Sequence, residues 1–340
     1  MRAIVLNGVG GTDVLELADV ADPEPGPEEI LVDVVATALN RADLIQRRGF
    51  YPDPDRQRLL AALERTPGVA PPPEILGMEF AGRVAALGRR ATAWQVGDEV
   101  MGIVAGGAYA ERLCVHERQA IAVPAGVAVA DAAAIPEVFI TAFDALVLQG
   151  GLGSGGWALV HAGASGVGTA AIQIAGAVGA RVAVTTSTGK VDACRSLGAD
   201  LVVDYKVDDF VAAVATAVPG GVDVVLDVIG GDYLDRNLDV IRVGATIVQV
   251  GVMGGGRTEV TLGKFLPKRA HLVGTVLRGR PLEEKIAVSQ RFAAAMGPRF
   301  ADGTLRPVID QRFALEQVAA AHERMEANEN VGKLVLDIQP

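Results

Sequence analysis

The 340-residue chain is poor in the residues that build metal centres and disulfide frameworks. It has two cysteines, Cys114 and Cys194, and four widely separated histidines, and no CxxC or HxxxH spacing occurs. Two cysteines cannot make a disulfide framework, and a catalytic zinc needs grouped nitrogen or sulfur ligands that this pattern does not offer. We therefore expect no bound metal, and we expect a reducing compartment, the cytoplasm.

Positive charge and uninterrupted apolar runs are scarce as well. Lys and Arg number 31 against 41 Asp and Glu, which gives a formal net charge of −10 at pH 7. Nucleic-acid binding needs a basic face, so nucleic acid is not expected as a partner. Residues 145–180 contain no Asp, Glu, Lys or Arg, but glycines interrupt this run throughout, and turn, strand and helix fit it better than a membrane span. The first residues also lack the apolar core of an export signal.

The spacing of apolar residues differs between the two parts of the chain. The first third has short alternating apolar runs punctuated by Gly and Pro, which predict a β-rich, barrel-like domain. From about Trp157, six apolar strands alternate with helices, the pattern of a parallel sheet with helices on both faces. A last strand, KLVLDI, finds no place in that sheet and is expected to return to the first domain. The predicted fold is α/β, with a β-rich domain in residues 1–135 and 300–340 and a Rossmann-type, doubly wound, parallel six-stranded sheet in residues 136–299.

Two glycine-rich stretches compete for the role of a phosphate loop. GLGSGG, residues 151–156, lies before the predicted strand WALVH, where a turn is expected and no helix begins. GASGVG, residues 163–168, follows that strand and opens a helix. At such a place backbone N–H groups and the helix N-terminus can hold a pyrophosphate, and glycines allow its close approach. The second stretch therefore predicts a dinucleotide site.

The end of the next strand indicates which dinucleotide binds. NAD sites usually offer an Asp or Glu there to the ribose hydroxyls, but this strand ends VTTSTGK, residues 184–190. A carboxylate would repel a 2′-phosphate, whereas Lys190 would attract it through a charge-assisted hydrogen bond. NADPH is the expected cofactor. The open alternative is that Lys190 only begins the following helix on a solvated face.

The domain order and the returning strand resemble the medium-chain dehydrogenase/reductases, whose N-terminal domain is GroES-like. Their zinc members carry a Cys, a GHE and a later Cys where this chain has Asn40-Arg-Ala-Asp43, Gly77-Met-Glu79 and Ile135-Pro-Glu137. The chain is most similar to the zinc-independent NADPH:quinone oxidoreductases, especially the subgroup induced by a tumour suppressor. The motifs that carry this resemblance span the chain: ALNRADLIQRRGFYPDP, LGMEFAGRVAALG, AAAIPEVFITAFDAL, VHAGASGVGTAAIQIA, DVIGG and MEANENVGKLVL.

The resemblance implies roles for individual residues. Asn40 and Tyr51 match positions that line the nicotinamide and substrate cleft, and they are the expected catalytic residues. Thr141 matches a threonine at the start of the helix that links the domains, where it contacts the nicotinamide. The other implied cofactor-binding residues are Ser165, Gly166 and Val167 at the pyrophosphate, Thr186, Ser187, Lys190 and Tyr205 at the 2′-phosphate and ribose, Gly251, Val252 and Met253 at the nicotinamide ribose, and Lys333 close to the cofactor.

Purely structural roles stay open for several of these residues. Asn40 could cap a strand end, Tyr51 could be a surface aromatic, Thr141 could cap a helix and Lys333 could be a solvated lysine.

One segment departs from the resemblance. Between Asp53 and Glu74 the chain carries a longer stretch, in which DRQRLLAALER has helical spacing of its leucines and a charged opposite face. Because this segment follows Tyr51 directly, it could narrow the substrate entrance. It could equally be a surface insertion.

The expected function is reduction of a quinone by hydride transfer from NADPH without a metal. An NADPH-dependent enone or enoyl reductase is the alternative within enzymes, and a non-catalytic NADPH-binding protein is the alternative outside them. Because the strands TIVQVGV and HLVGTVL could pair across a two-fold axis, a homodimer is expected by analogy with the family.

Overall fold

The alternating apolar segments form strands, and the computed structural model describes residues 1–51, 54–63 and 71–338. The strands are β1 (Arg2–Leu6), β2 (Leu15–Asp19), β3 (Glu29–Ala38), β4 (Glu79–Leu87), β5 (Glu99–Ile103), β6 (Arg112–His116), β7 (Ile121–Ala122), β8 (Trp157–His161), β9 (Arg181–Thr186), β10 (Leu201–Asp204), β11 (Val222–Asp227), β12 (Ile241–Gln249), β13 (His271–Gly274), β14 (Ile309–Ala314) and β15 (Lys333–Asp337).

The helices cover or connect these strands. They are α1 (Arg41–Arg47), α2 (Pro54–Leu63), α3 (Val129–Ala132), α4 (Pro136–Phe143), α5 (Gly166–Ala177), α6 (Val191–Ser196), α7 (Phe210–Ala217), α8 (Tyr233–Val240), α9 (Leu262–Lys268), α10 (Leu282–Ala301) and α11 (Val318–Glu326). Residues Asp144–Gln149 form a π-helical segment, and single 3₁₀ turns occur at Thr12–Val14, Thr188–Lys190 and Leu315–Gln317. None of the described helices is long and apolar enough to cross a membrane.

The described residues form two compact units. Unit 1 comprises Met1–Glu137, Leu277–Ala301 and Ile309–Pro340, and unit 2 comprises Val138–Val276 and Asp302–Val308. This division differs from the predicted boundaries chiefly at residues 277–299, which lie in unit 1, and at residues 302–308, which lie in unit 2.

Two contacts explain the difference. Helix α10 packs against β5 and β7 of unit 1, and Glu283 beside its start makes a bidentate ion pair with Arg118 at 2.9 Å. Residues 302–308 belong to unit 2 because Gln173 of α5 exchanges two hydrogen bonds of 3.0 Å with the backbone of Arg306.

Unit 1 is built on a seven-stranded sheet with the order β14-β15-β3-β4-β5-β7, in which β6 also pairs with β3. The alternation of apolar residues along β3 places Ile30, Val32 and Val34 in the core. Strand β15 pairs antiparallel with β3, with Val335 opposite Ala38. This confirms that the last strand returns to the first domain.

Unit 2 contains a six-stranded sheet with the order β10-β9-β8-β11-β12-β13, and every pair in it is parallel. Its strands are nearly continuous apolar runs because helices cover both faces of such a sheet. Leu159, Val225 and Ile247 are fully buried at its centre. The strand order reverses between β8 and β11, the point at which open sheets of this kind bind ligands. The predicted Rossmann-type sheet is confirmed.

Candidate functional site

The loop between β8 and α5 has the form of a phosphate cradle. Ser165 caps α5, and its hydroxyl oxygen accepts a hydrogen bond of 3.0 Å from the Gly168 N–H. A Cβ on Gly163 would lie 2.6 Å from the Cβ of Val184, and a Cβ on Gly168 would lie 2.3 Å from the Ala162 carbonyl oxygen. Both glycines are therefore required by space. The loop fits a dinucleotide pyrophosphate because the first N–H groups of a helix have no partner within it.

The competing glycine stretch lies at the opposite end of β8. Residues 151–156 precede this strand, and Gly155 donates a hydrogen bond of 2.8 Å to the Gly179 carbonyl. The stretch is a turn before a strand, as predicted.

The residues predicted to meet the 2′-phosphate lie at the carboxyl ends of two neighbouring strands. Thr186 ends β9 and is buried, and Tyr205 comes directly after β10. Ser187 precedes the 3₁₀ turn that follows β9, and Lys190 is the last residue of that turn. The Tyr205 N–H donates to the Thr186 carbonyl at 3.1 Å, which brings the two strand ends together. The segment from Thr186 to Lys190 carries no acidic residue, so its only formal charge is positive.

The loop after β12 also lies at this edge of the sheet. Gly251, Val252 and Met253 form a turn in which the Met253 N–H donates to the Val228 carbonyl at 3.2 Å. The side chains of Val252 and Met253 are exposed. Thr141, in contrast, lies well inside α4 rather than at its start. The helix begins at Pro136, because proline is favoured at the first position of a helix. The same observation makes a helix-capping role for Thr141 wrong.

In unit 1, three polar side chains from distant parts of the sequence meet in a buried triad of Asn40, Glu79 and Lys333. The Lys333 ammonium lies 2.7 Å from Glu79 Oε1 and donates to Asn40 Oδ1 at 2.7 Å. The Asn40 amide donates to the same Glu79 oxygen at 2.9 Å. Each pair of the triad is thus in direct contact.

The geometry of the triad shows that the Lys333 ammonium forms an ion pair with Glu79. Its three N–H groups have three acceptors: Glu79, Asn40 and the Leu39 carbonyl. Lys333 is 2% exposed and the Glu79 side chain is 0% exposed, so the alternative of a solvated lysine is wrong. A buried carboxylate needs a counter-charge, and Lys333 supplies it. The predicted contact of Lys333 with the cofactor stays a prediction.

Asp43 connects the two segments that carry Asn40 and Glu79 through hydrogen bonds. Its buried carboxyl accepts hydrogen bonds from the Asn40 N–H at 2.7 Å, the Gly77 N–H at 3.3 Å and the Tyr109 hydroxyl at 3.2 Å. Burial raises the pKa of this carboxyl to about 6. Asn40 lies between the end of β3 and the start of α1, and the strand-end cap considered for it stays an open alternative.

A chain of buried groups continues behind Tyr109. The Tyr109 hydroxyl lies 3.5 Å from Nε2 of His322, and Arg47 lies 3.2 Å from Nδ1 of the same ring. Burial, with a smaller contribution from Arg47, lowers the pKa of His322 to about 3. His322 is therefore neutral at physiological pH and acts as part of the scaffold.

Tyr51, the second predicted catalytic residue, is half-buried beside Arg278. The Arg278 guanidinium lies 5.2 Å from the centre of the Tyr51 ring and donates to the Tyr51 carbonyl at 2.9 Å. Burial, together with the nearby Glu137 carboxyl, raises the pKa of Tyr51. The hydroxyl therefore stays protonated and can donate a hydrogen bond.

The segment after Tyr51 contains the predicted helix, which is α2. Its Arg56 makes an ion pair of 3.0 Å with Glu74, and Glu74 also accepts from the Gln46 side chain at 2.7 Å. Residues 52, 53 and 64–70 of this segment lie outside the described residues. Whether the insertion narrows the substrate entrance stays a prediction.

Sequence reasoning missed Asp43, Glu79, Glu137 and Arg278 as members of this site. The signal was present for two of them. Glu79 and Glu137 stand in the apolar segments GMEF and IPEVF, where a carboxylate is out of place unless a partner is buried with it. Both also stand at or near the positions where the zinc members of the resembling family carry metal ligands. Among the residues that the structure describes, no group of three or more His, Cys, Asp and Glu side chains is arranged to hold a metal ion.

Comparisons with known proteins agree with the fold. Residues 26–125 match the model of the alcohol dehydrogenase GroES-like domain, and residues 197–336 match the model described as zinc-binding dehydrogenase. The quinone oxidoreductase of Lama guanicoe is 32% identical over 99% of this chain and 97% of its own length. The human synaptic vesicle membrane protein VAT-1 homolog is 30% identical over 99% of this chain and 86% of its own.

A solved structure agrees as well. Escherichia coli quinone oxidoreductase, complexed with NADPH, is 26% identical, with a TM-score of 0.85 over 99% of this chain and 100% of its own. The chain thus belongs to the medium-chain dehydrogenase/reductases, within the quinone oxidoreductase family.

Proposed function

We propose that the protein reduces quinones with NADPH by hydride transfer that needs no metal ion. The observation that carries this proposal is the glycine cradle between β8 and α5, next to a β9 end that is free of acidic residues and followed by Lys190. The relatives named as quinone oxidoreductases, one of them in complex with NADPH, support it.

The residues present fit a bound NADPH in unit 2. Gly166 and Val167 would hold the pyrophosphate with the N–H groups at the start of α5, where Ser165 fixes the loop by capping. Ser187 and Lys190 would hold the 2′-phosphate. Thr186 and Tyr205 would flank the ribose, and Thr141, Gly251, Val252 and Met253 would line the nicotinamide side. The bound cofactor supplies the hydride.

The residues of unit 1 suit an electron-poor acceptor. A reduced quinone oxygen is a stabilised anion, so a hydrogen-bond donor can replace a Lewis acid. We propose the Tyr51 hydroxyl as that donor. The Asn40 side chain is engaged with Glu79 and Lys333, so we assign it a positioning role. The Lys333 ammonium is the counter-charge of the buried Glu79 carboxylate.

We also propose that two copies associate through the outer strand of the unit 2 sheet. Strand β13 is the last in the order, and Leu272 on it is exposed. An unpaired edge strand with an exposed apolar side chain is a template for pairing with a second copy. Light scattering of Leu272→Lys tests this, with a monomer as the expected result. The free thiols of Cys114 and Cys194 support our proposal of a reducing, cytoplasmic compartment.

The deciding experiment compares NADPH and NADH oxidation with an ortho-quinone, a para-quinone and a simple enone. We expect turnover of the quinones that is faster with NADPH. Turnover of the enone alone would make the protein an enone reductase. Binding of NADPH without any turnover would place it with non-catalytic cofactor-binding proteins. Detection of a semiquinone signal during turnover would distinguish one-electron from two-electron reduction.

A further inference from the structure

Three acidic residues of unit 1 interact with the Lys333 ammonium: Glu79 is in contact with it, and Asp43 and Glu137 are near enough to feel its charge. Glu79 belongs to β4, Asp43 to α1 and Glu137 to the first turn of α4, while Lys333 belongs to β15. The N–H of Glu137 donates to Glu79 Oε2 at 2.8 Å, so the backbone of Glu137 is fixed beside the Glu79 carboxylate. The site therefore holds an excess of acid groups over ammonium groups.

The hydrogen bonds of this cluster leave Glu137 in a different position from the other two acids. Glu79 accepts from Lys333, Asn40 and the Glu137 backbone, and Asp43 accepts from two backbone amides and a hydroxyl. Among the described residues of unit 1, none donates a hydrogen bond to the Glu137 carboxyl. A carboxylate without donors and beside another carboxylate is unfavourable, whereas the protonated form carries no charge to desolvate.

The charges that face Glu137 act in opposite directions. Glu79 and Asp43 favour its protonated form, and Lys333 and Arg278 favour its charged form. Burial is the largest influence, followed by Glu79, and together they raise the pKa of this carboxyl to about 8. The residue nevertheless keeps some exposed surface, so a proton can return to it from solvent.

We propose that Glu137 is the proton donor of the reaction: its carboxyl group delivers a proton to the oxygen of the reduced acceptor. This rests on the proposed function. The acceptor gains two electrons and one hydrogen as hydride, and the O–H bond of Glu137 breaks as a new O–H bond forms on the acceptor. Glu137 is left as a carboxylate and regains its proton from solvent.

Tyr51 and Glu137 would then have different roles at the acceptor oxygen. The two groups are close enough for the Glu137 charge to raise the pKa of the Tyr51 hydroxyl. Tyr51 is too weak an acid to give up its proton near neutral pH, so it stabilises the developing negative charge by a hydrogen bond. Glu137 completes the reduction because its proton is available at that pH.

The test combines kinetics and infrared spectroscopy on three variants. Glu137→Gln keeps the shape of the side chain and removes the acid, Glu137→Asp keeps an acid, and Glu283→Gln changes an exposed glutamate of the same unit. With NADPH and the best acceptor, we expect kcat of Glu137→Gln at pH 7 to fall about 10²-fold. We expect its loss of activity above pH 8 to disappear, with partial activity in Glu137→Asp and none of these changes in Glu283→Gln.

Infrared spectroscopy tests the proton itself without turnover. In the wild type, a protonated-carboxyl C=O band should disappear as the pH rises through about 8, and the band should be absent from Glu137→Gln. A wild type without this band would overturn the inference whether or not the enzyme turns over. Turnover by the wild type with an unchanged pH profile in Glu137→Gln would overturn it while leaving the proposed function in place. No turnover of any acceptor would refute the proposed function, and with it the donor role.

Discussion

Replacing Lys333 with methionine removes the ammonium that lies 2.7 Å from the Glu79 carboxylate while keeping most of the side-chain volume. Glu79 would retain hydrogen bonds from the Asn40 amide and the Glu137 N–H, but it would lose its counter-charge. Both side chains of the pair are almost fully buried, so solvent cannot take over the role of the ammonium. Lys333→Met should therefore be strongly destabilising to unit 1.

The magnitude follows from the burial of the pair. Removing one partner of a buried ion pair costs about 3–5 kcal/mol, because the other charge is left buried and uncompensated. For a unit of roughly 200 residues, about 2–4 °C of midpoint shift accompanies each kcal/mol, so the expected loss is on the order of 10 °C. The exposed pair of Arg118 and Glu283 offers a matched control, for which Arg118→Met should cost less than about 1 kcal/mol.

Urea and thermal unfolding measure these stability losses. The proteins compared are the wild type, Lys333→Met, Arg118→Met and the double variant Glu79→Gln/Lys333→Met. The double variant removes both charges, so it should recover part of the stability lost in Lys333→Met. If Lys333→Met were no less stable than Arg118→Met, the assignment of the ammonium to Glu79 would be refuted.

Four further predictions concern single positions. Gly168→Ala should weaken NADPH binding and lower the free energy of unfolding by about 1–3 kcal/mol, because the new Cβ would lie 2.3 Å from a backbone oxygen. The control is Gly176→Ala in the same helix, where the Cβ meets open space; calorimetry should find this variant as stable as the wild type or more stable. Lys190→Ala should weaken NADPH binding by about 1.5–3 kcal/mol and leave NADH binding nearly unchanged in titrations; equal losses would contradict the 2′-phosphate assignment. Tyr51→Phe should lower kcat for quinones, and unchanged kinetics would count against an oxyanion donor. Folding raises the pKa of Asp43 to about 6, so the protonated carboxyl stabilises the fold at low pH. This contribution of about 2–3 kcal/mol should be lost as the pH rises from 4 through 6. If the free energies of unfolding of the wild type and Asp43→Asn changed in parallel over this range, the prediction would be contradicted.

Features that depend on local sequence could be predicted. The glycine loop after β8 is one, because its glycines stand between a strand and a helix start only a few residues apart, and Gly168 is required by the nearby Ala162 carbonyl. The six parallel strands follow from apolar runs that alternate with helices. The return of β15 follows from counting strands, since the second sheet is already complete without it.

Features that depend on distant contacts could not be predicted. Asn40 and Lys333 are 293 positions apart, and nothing in either segment indicates the other. Helix α10 looks like any amphipathic helix, and its place in unit 1 depends on contacts with β5 and β7. The position of Thr141 within α4 was misjudged because the helix boundary is set by Pro136, five residues earlier. The pairing of Glu79 with Lys333 joins two strands that are far apart in the sequence, so it required the structure.

The pairing of β15 with β3 has a consequence for the order in which the protein can fold during synthesis. The strands of the unit 2 sheet end at Gly274, whereas β15 ends at Asp337, so roughly 3–12 seconds of translation separate the two at about 5–20 residues per second. During that interval β3 lacks its partner on one side and Glu79 lacks its ammonium. Unit 1 therefore presents an open strand edge to other chains at a time when the sheet of unit 2 can already be complete. A chaperone that binds exposed strands would have its opportunity in this interval.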